Sequence, residues 1–228
     1  MVMHSMDPGM VEGIARAAGH PPPFNEGDLA AVRELHVKYA VRMSELSNLG
    51  SLRIAILVGC DPVRIEDLHN APKLRTLIVQ DSGLVSLDGI GGVPMVKLSL
   101  PRNLLEDVVP LLDIEQPCEI DITGNPLSEN SYKEVVPELS RKGHRVKVSG
   151  ELPWSVTRRL NAEGVPVCCY LSTQGYRLSR PGLALTEFPD YNHPVVTVEQ
   201  VRELLVADPR RAYEYFEQPK LVPKFLAP

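Results

Sequence analysis

Apolar residues recur at a fixed spacing between residues 74 and 114. Two consecutive segments follow the pattern LxxLxLxxNxLxxLxxLxxL, and the second is offset from the first by 21 residues. Each LxL stretch places two apolar side chains on one face of a short strand and the residue between them on the other face. A single unit cannot bury that apolar face alone, whereas stacked neighbours can. The pattern therefore predicts a solenoid of repeated strand-and-turn units.

The pattern continues on both sides of this stretch. One unit runs from Leu52 to Ala71 with Pro62 as its misfit, a looser unit precedes it, and a further unit begins at Ile120. The glycines and prolines between the units favour short turns or single helical turns over long helices. We predict strands near residues 34–38, 54–58, 76–80, 97–101 and 119–123.

The polar slot of each unit follows the strand directly. Its occupants are small and can form hydrogen bonds, namely Cys60, Ser82, Asn103 and Asn125. Side chains of this kind can bond to backbone groups that a bend leaves unpaired. We expect the two asparagine side chains to be buried and bonded to the backbone in the turns.

These units resemble the leucine-rich repeat family, in its short class of about 22 residues per unit. The resemblance covers about residues 30–148, and the run GNPLSENSYKEVVPELSRKGHRV resembles the closing segment that is common after such repeats. It implies an α/β fold: a leucine-rich repeat solenoid with a curved parallel sheet, plus a C-terminal α/β cap, in a bacterial protein. An ordinary α/β domain with leucine-rich helices is the alternative.

The boundaries follow from the limits of the pattern. Residues 1–28 form an N-terminal arm or cap, residues 29–150 the repeats with a closing helix, and residues 151–228 the C-terminal cap segment. The closing helix runs to Arg141 with Pro137 inside it, where a kink is expected. Val167 and Cys169 follow Val146 and Val148 by 21 residues and keep the same alternation, so the parallel sheet is expected to run on for two more strands, the second of them beyond residue 150. Further elements are predicted at 176–178, 183–188, after Thr197 and after Asp208.

Charge and hydropathy restrict the possible partners. The formal charge is −5, and residues 151–228 carry nine basic and nine acidic side chains, so the acidic excess lies in residues 1–150. The chain lacks a dense Lys/Arg stripe, which argues against nucleic acid and anionic membranes. It has neither a run of 18 apolar residues nor a secretory signal pattern. We expect a cytoplasmic monomer.

The candidates for catalysis are few. Cys168 or Cys169 could act as a nucleophile with His193 and Asp190, which defines an enzyme alternative in which the repeats recognise the substrate. The simpler interpretation is that residues 188–194 form a turn-rich loop and that the cysteines are small buried hydrophobes. The spacing of the cysteines and histidines does not suggest a metal site, and no cofactor is expected.

The resemblance implies binding of another protein on the concave, strand-lined face, without catalysis. Outward strand positions are apolar near the N-terminal end and charged toward the other end, as in an interface with an apolar centre and a polar margin. The alternative for the apolar part is that residues 1–28 fold back over it. The predicted partner-binding residues are Ile54, Ile56, Val58, Thr76, Ile78, Gln80, Asp81, Lys97, Ser99, Arg102, Glu119 and Asp121.

Overall fold

A computed structural model describes residues 6–68, 71–182 and 193–216. Six short parallel strands form one sheet in sequence order. They are β1 Glu34–Lys38, β2 Ile54–Val58, β3 Thr76–Gln80, β4 Lys97–Ser99, β5 Glu119–Asp121 and β6 Arg145–Lys147. The predicted strands are confirmed, except that β4 and β5 each end two residues early. Pro101 follows β4 and has no N–H to donate to a ladder bond.

The strands stack without a shift in register. Equivalent positions run Glu34, Ile54, Thr76, Lys97, Glu119 and Arg145. The alternation within each strand is confirmed, because the inward side chains are at most 1% exposed at Leu77, Val79, Leu98, Leu100, Ile120 and Ile122. Between the strands the chain returns through short 3-10 turns, at Ser44–Asn48, Ile65–Leu68, Ile90–Gly92 and Val109–Asp113. The apolar core lies between these turns and the sheet.

Two helices precede the first strand. Helix α1 spans Pro8–Ala18 and helix α2 spans Glu26–Ala31. The N-cap Asp7 accepts a hydrogen bond from the Gly9 backbone and, with its second oxygen, another from Val41 at 3.0 Å. A Cβ atom on Gly13 would lie 2.8 Å from a backbone oxygen of β1. Glycine therefore allows α1 to pack directly against the first strand, where Met10 and Ile14 are fully buried.

The closing segment differs from one kinked helix. A π-helical stretch, Ser131–Val135, leads into α3, which spans Val136–Arg141. Val135 and Val136 both have right-handed helical angles, so the chain is helical through this junction and Pro137 lies inside it, as predicted. The Val136 N–H bonds to the Ser131 carbonyl five residues earlier, so the helix widens directly before the proline.

The C-terminal unit, residues 151–216, corrects the expectation of further parallel strands. Helix α4 (Glu151–Ala162) leads to a separate antiparallel sheet of β7 Cys168–Ser172, β8 Gly175–Ser179 and β9 Val195–Val196. Helix α5 (Val198–Glu203) and a 3-10 segment (Pro209–Phe216) follow. Within the described residues the parallel sheet ends at β6, and a two-residue turn folds β8 back onto β7 in the second sheet. The predicted strand at 183–188 lies outside the described residues.

A second hydrophobic core fills the C-terminal unit. One face of its sheet packs on the helices, and Val156, Leu160, Cys169 and Leu178 are fully buried there. The other face meets the repeats, where the Cys168 thiol lies 3.4 Å from the Asn103 carbonyl oxygen. Within the described residues, no helix has the length and apolar content that crossing a membrane requires.

Candidate functional site

The outward side of β2 and β3 carries the predicted apolar positions. Ile54, Ile56 and Ile78 are half-buried, while the residues that alternate with them belong to the core. Ile56 is the register partner of Ile78 and stands next but one to Ile54 along its own strand. The three isoleucines therefore form one contiguous patch, which we call the isoleucine patch. It is bordered by two half-buried polar side chains, Thr76 and Gln80.

The outward side of β4–β6 is charged, one strand at a time. Lys97 on β4 is exposed, β5 presents two carboxylates, and β6 presents two cations. The Lys147 ammonium lies 2.9 Å from the Asp121 carboxylate, and Arg145 pairs with Glu119. A shallow concavity of about 330 Å³ follows these strands. Its polar lining comprises Lys97, Ser99, Glu119, Asp121, Arg145 and Lys147.

In each of the first five units, one residue in the turn that follows the strand has a left-handed backbone conformation, so its side chain does not continue the alternation of the strand. Its φ angle is 57° at Tyr39, 63° at Gly59, 49° at Asp81, 56° at Arg102 and 77° at Gly124. Glycine adopts this conformation without strain, whereas other residues rarely do. Asp81 and Arg102 therefore occupy this turn for a reason outside their own repeat.

That reason is a buried network between the repeats and the C-terminal unit, which we call the Asp81 network. Asp81 is fully buried, and Arg102 donates two hydrogen bonds of 2.8 Å to its carboxylate. The Ser179 hydroxyl donates a third at 2.5 Å, and the Gly182 N–H bonds to the Asp81 carbonyl at 2.9 Å. The His193 Nε2 atom lies 3.5 Å from the same carboxylate.

Charge and burial have opposite effects on these groups. Burial works against ionisation of Asp81, but the charge and the hydrogen bonds of Arg102 outweigh burial, so the pKa of Asp81 is lowered. Burial lowers the pKa of His193 to about 4, against the opposing pull of Asp81. The Tyr170 hydroxyl lies 2.8 Å from His193 Nδ1, and the Arg102 guanidinium stacks 4.7 Å from the Tyr170 ring centre. The network therefore combines an ion pair with a neutral imidazole.

Two predicted binding residues are consequently inaccessible. Asp81 is 0% exposed and Val58 is 2% exposed, so including them in an open surface was wrong. Arg102 is half-buried and its guanidinium is committed to Asp81. The other nine predicted residues lie on the outward side of β2–β5, fully or partly accessible: Ile54, Ile56, Thr76, Ile78, Gln80, Lys97, Ser99, Glu119 and Asp121.

The C-terminal cysteines do not have the environment of a nucleophile. Cys168 and Cys169 are fully buried, and burial raises the pKa of Cys169 to about 12 and that of Cys168 well above its usual range. A thiolate at neutral pH is therefore strongly disfavoured at both positions. His193 contacts Tyr170 and Asp81, and Asp190 lies outside the described residues. This geometry does not support the thiol form of the enzyme alternative.

Sequence reasoning missed the long-range partners of the Asp81 turn, which are Ser179, His193 and Tyr170. The pair of Asp81 with Arg102, by contrast, left a signal in the sequence. The turn position that glycine fills twice holds an acid and, 21 residues later, an arginine. Opposite charges at stacked turn positions indicate an ion pair across neighbouring repeats.

The polar slots form a ladder along the buried edge of the turns. Asn103 donates to the Val79 carbonyl at 2.8 Å and accepts from the Ser82 N–H at 3.1 Å. Asn125 donates to the Leu100 carbonyl at 2.8 Å one unit further on. Both side chains are buried, so their predicted role is confirmed. This ladder, added to the stacked register, decides the fold. The chain is built of leucine-rich repeats.

Comparisons with known proteins find this fold at low similarity. A search of solved structures aligns this chain with internalin C2 of Listeria monocytogenes at 12% identity and a TM-score of 0.44, covering 70% of this chain and 80% of that one. It also finds the internalin inlF of the same organism at 15% identity and a TM-score of 0.38, covering 67% of this chain and 60% of that one. No family model and no curated protein matches. The fold assignment therefore rests on the leucine-rich repeats themselves.

Proposed function

We propose that this leucine-rich repeat chain is a non-catalytic module that binds a partner protein on its concave face. The observation that carries the proposal is the isoleucine patch. A sheet face turned to solvent needs no apolar side chains for folding, and clustered ones mark interaction surfaces. Three isoleucines from the adjacent strands β2 and β3 are half-buried and not part of the core.

The charged strands beside the patch support the same proposal. Lys97, Ser99, Glu119 and Asp121 continue the outward side from β4 to β5. An apolar centre bordered by charged side chains is the usual anatomy of a protein interface. The charges would set the orientation of the partner and its rate of association, while the isoleucines would supply most of the affinity.

The N-terminal helices leave room for an external partner. Helix α1 packs against the free backbone edge of β1, not on the concave face. Phe24 and Leu29 pack against the core of the repeats. The isoleucine patch is half-buried, not fully buried, with both helices in place. This arrangement favours external binding over coverage by residues 6–28, the part of the N-terminal segment that the structure describes. We further propose that the C-terminal unit serves as the cap of the solenoid and that the protein works in the cytoplasm.

The test is affinity purification of tagged protein from its native cells, with mass spectrometry of what is captured. Ile56→Asp and Ile78→Asp place a charge at the centre of the patch. We expect each to reduce recovery of the specific partner about tenfold or more, since loss of a central contact commonly costs over 1.4 kcal/mol. Purified partner then allows the Kd values to be measured.

Val109→Asp is the matched control, because Val109 is an apolar side chain that is 42% exposed on a return turn, away from the sheet. It should leave capture unchanged. Circular dichroism and thermal melts establish that all three variants are folded. Full capture by folded Ile56→Asp and Ile78→Asp variants would exclude the concave face as the binding site.

A further inference from the structure

The two edge strands of the parallel sheet, β1 and β6, differ in what packs against them. Helix α1 packs against β1 at the first end, whereas β6 is the last strand at the other. The Arg145 N–H bonds to the Cys118 carbonyl at 3.0 Å, and the Lys147 carbonyl accepts from the Ile122 N–H at 2.9 Å. Both groups point toward β5. Backbone groups alternate in direction along a strand, so the N–H and C=O of Val146 point away from β5, toward the open edge of the sheet.

No strand of the described residues pairs with that open edge. The side chains of Arg145 and Lys147 are 80% and 73% exposed on the concave face. Val146 and Val148 point the other way and are only half-buried, although they pack against the core of the repeats. Within the part of the chain that the structure describes, the edge of β6 thus combines unpaired backbone groups with a cationic face and an apolar face.

Strand β5 shows which sequence complements β6. Glu119 pairs with Arg145, Asp121 lies 2.9 Å from Lys147, and Ile120 between them is in register with Val146. An acidic–apolar–acidic strand therefore matches β6 on both faces. Three residues suffice for such pairing, since β4, β5 and β6 are each three residues long.

We infer that the free edge of β6 binds an extended segment of a partner protein with an acidic–apolar–acidic sequence, which adds to the sheet as a seventh strand. Main-chain hydrogen bonds to Val146 supply the pairing, and the two cations select the flanking carboxylates. This site lies at the end of the solenoid and goes beyond the proposed binding on the concave face.

A second copy of the chain is a poorer occupant of the same edge. Antiparallel pairing of two β6 strands about Val146 places Arg145 of one copy opposite Lys147 of the other. Like charges directly opposite each other destabilise a strand pair. Cationic side chains on an edge strand are a known means of preventing self-association. The same charges favour an acidic strand.

The experiment uses the full chain and a labelled synthetic peptide with the sequence Glu-Ile-Asp-Ile-Thr, extended by neutral flanks. A second peptide, Lys-Ile-Lys-Ile-Thr, is its charge-reversed control. Fluorescence anisotropy should show saturable binding of the acidic peptide, weakened by added salt, and at least tenfold weaker binding of the basic one. Amide hydrogen exchange at Val146 should slow at least tenfold when the acidic peptide is bound.

Variants at one position separate backbone pairing from attraction by charge alone. Val146→Pro removes the outward N–H and leaves the bonds of Arg145 and Lys147 to β5 in place. Val146→Ala retains the N–H and is its control. We expect binding of the acidic peptide to fall at least tenfold in the proline variant and to persist in the alanine variant. Ile56→Asp should leave it unchanged, which distinguishes this site from the concave face.

If Val146→Pro does not fold, the double variant Arg145→Glu/Lys147→Glu decides the matter, because it should bind the basic peptide in preference to the acidic one. Several results would overturn the inference. They are equal binding of both peptides, no binding of the acidic peptide, unchanged exchange at Val146, or protection confined to β2 and β3. Concentration-dependent dimerisation that Val146→Pro abolishes would assign the edge to a second copy instead.

Discussion

Asp81 combines a strained backbone with a buried charge. Its left-handed conformation costs about 1–2 kcal/mol relative to glycine. The carboxylate lies out of contact with water, held by Arg102 and Ser179. A buried carboxylate is stable only with such partners. The side chain at this turn therefore fixes where the C-terminal unit attaches to the repeats.

Arg102→Gln tests that dependence. The change leaves the Asp81 carboxylate buried without its cation, and removing one partner of a buried pair commonly costs about 3–5 kcal/mol. The pKa of Asp81 should rise, because Arg102 is the main group holding it down. Urea unfolding at pH 7 measures the loss of stability.

The exposed pair formed by Arg145 and Glu119 provides the control. Both side chains are largely in solvent, where an ion pair contributes at most about 1 kcal/mol. Arg145→Gln should therefore change the free energy of unfolding by no more than that. Similar losses in the Arg102 and Arg145 variants would contradict a special role for the buried pair.

His193 gives the protein a specific dependence on pH. Its pKa is about 4 in the folded protein, because burial disfavours the imidazolium, and about 6.5 in an unfolded chain. Between these values the unfolded state binds more protons, so stability falls as the pH drops through this window.

The measurement compares wild type with His193→Gln at pH 7 and pH 5. The wild type should lose about 2 kcal/mol more than the variant over this interval, as calculated from the two pKa values. Other titrating groups are common to both proteins and cancel in the difference. Parallel stability curves for the two proteins would show that His193 is not the source.

Asn103 has a different role, since it serves the backbone of its own and the preceding repeat. Asn103→Leu removes the donor to Val79 and the acceptor for Ser82. Unsatisfied buried groups make this cost about 1–3 kcal/mol, with a smaller loss for Asn103→Ser, whose hydroxyl can still bond. Thermal melts compare the two variants, and an unchanged midpoint for the leucine variant would refute the role.

The strand is the element that repeats, and its two faces should respond differently to mutation. Leu98 is fully buried, whereas Ser99 faces outward and is half-buried. Leu98→Ala should cost about 2–5 kcal/mol as a large-to-small change in a packed core. Ser99→Ala should be nearly silent. Urea unfolding of both variants checks the register, and equal losses would show that it is wrong.

Strands of this kind can be predicted from sequence because each unit repeats the same spacing of apolar and polar positions. Leu77, Leu98 and Ile120 occupy one column, and their spacing is close to constant. The asparagine role follows from the same repetition. A local pattern confirmed several times over gives both the position and the orientation of a strand.

Beyond residue 150 that repetition stops. Val167 and Cys169 keep the spacing of Val146 and Val148, yet β7 pairs antiparallel with β8. Alternation has the same period in parallel and antiparallel strands, so it cannot distinguish them. The burial of Asp81 was equally unpredictable, because Ser179 is 98 residues away and no local pattern connects the two.

Taken as a whole, the molecule has two apolar cores and two kinds of contact between its units. The first core fills the repeats and includes Trp154 of α4, and the second fills the C-terminal unit. The Asp81 network and the Cys168 thiol form a separate, polar contact. Loss of that network should therefore open the polar contact while leaving both cores folded.

Thiol labelling measures this opening directly. Cys168 lies at the contact, whereas Cys60 lies in the core of the repeats. Arg102→Gln should accelerate alkylation of Cys168 under native conditions while Cys60 remains protected. Mass spectrometry of digested protein gives both rates from one sample. Equal acceleration at the two thiols would mean that the whole molecule unfolds together.

The distance along the chain between Asp81 and its partners also sets an order of events during synthesis. The repeats leave the ribosome first, and Ser179 follows Asp81 after 98 further residues. At about 5–20 residues per second this interval lasts roughly 5–20 s. Throughout it the carboxylate and Arg102 remain hydrated at the surface of a growing stack. The nascent protein thus passes through a stage in which the repeats are assembled and their docking turn is still open to other molecules in the cell.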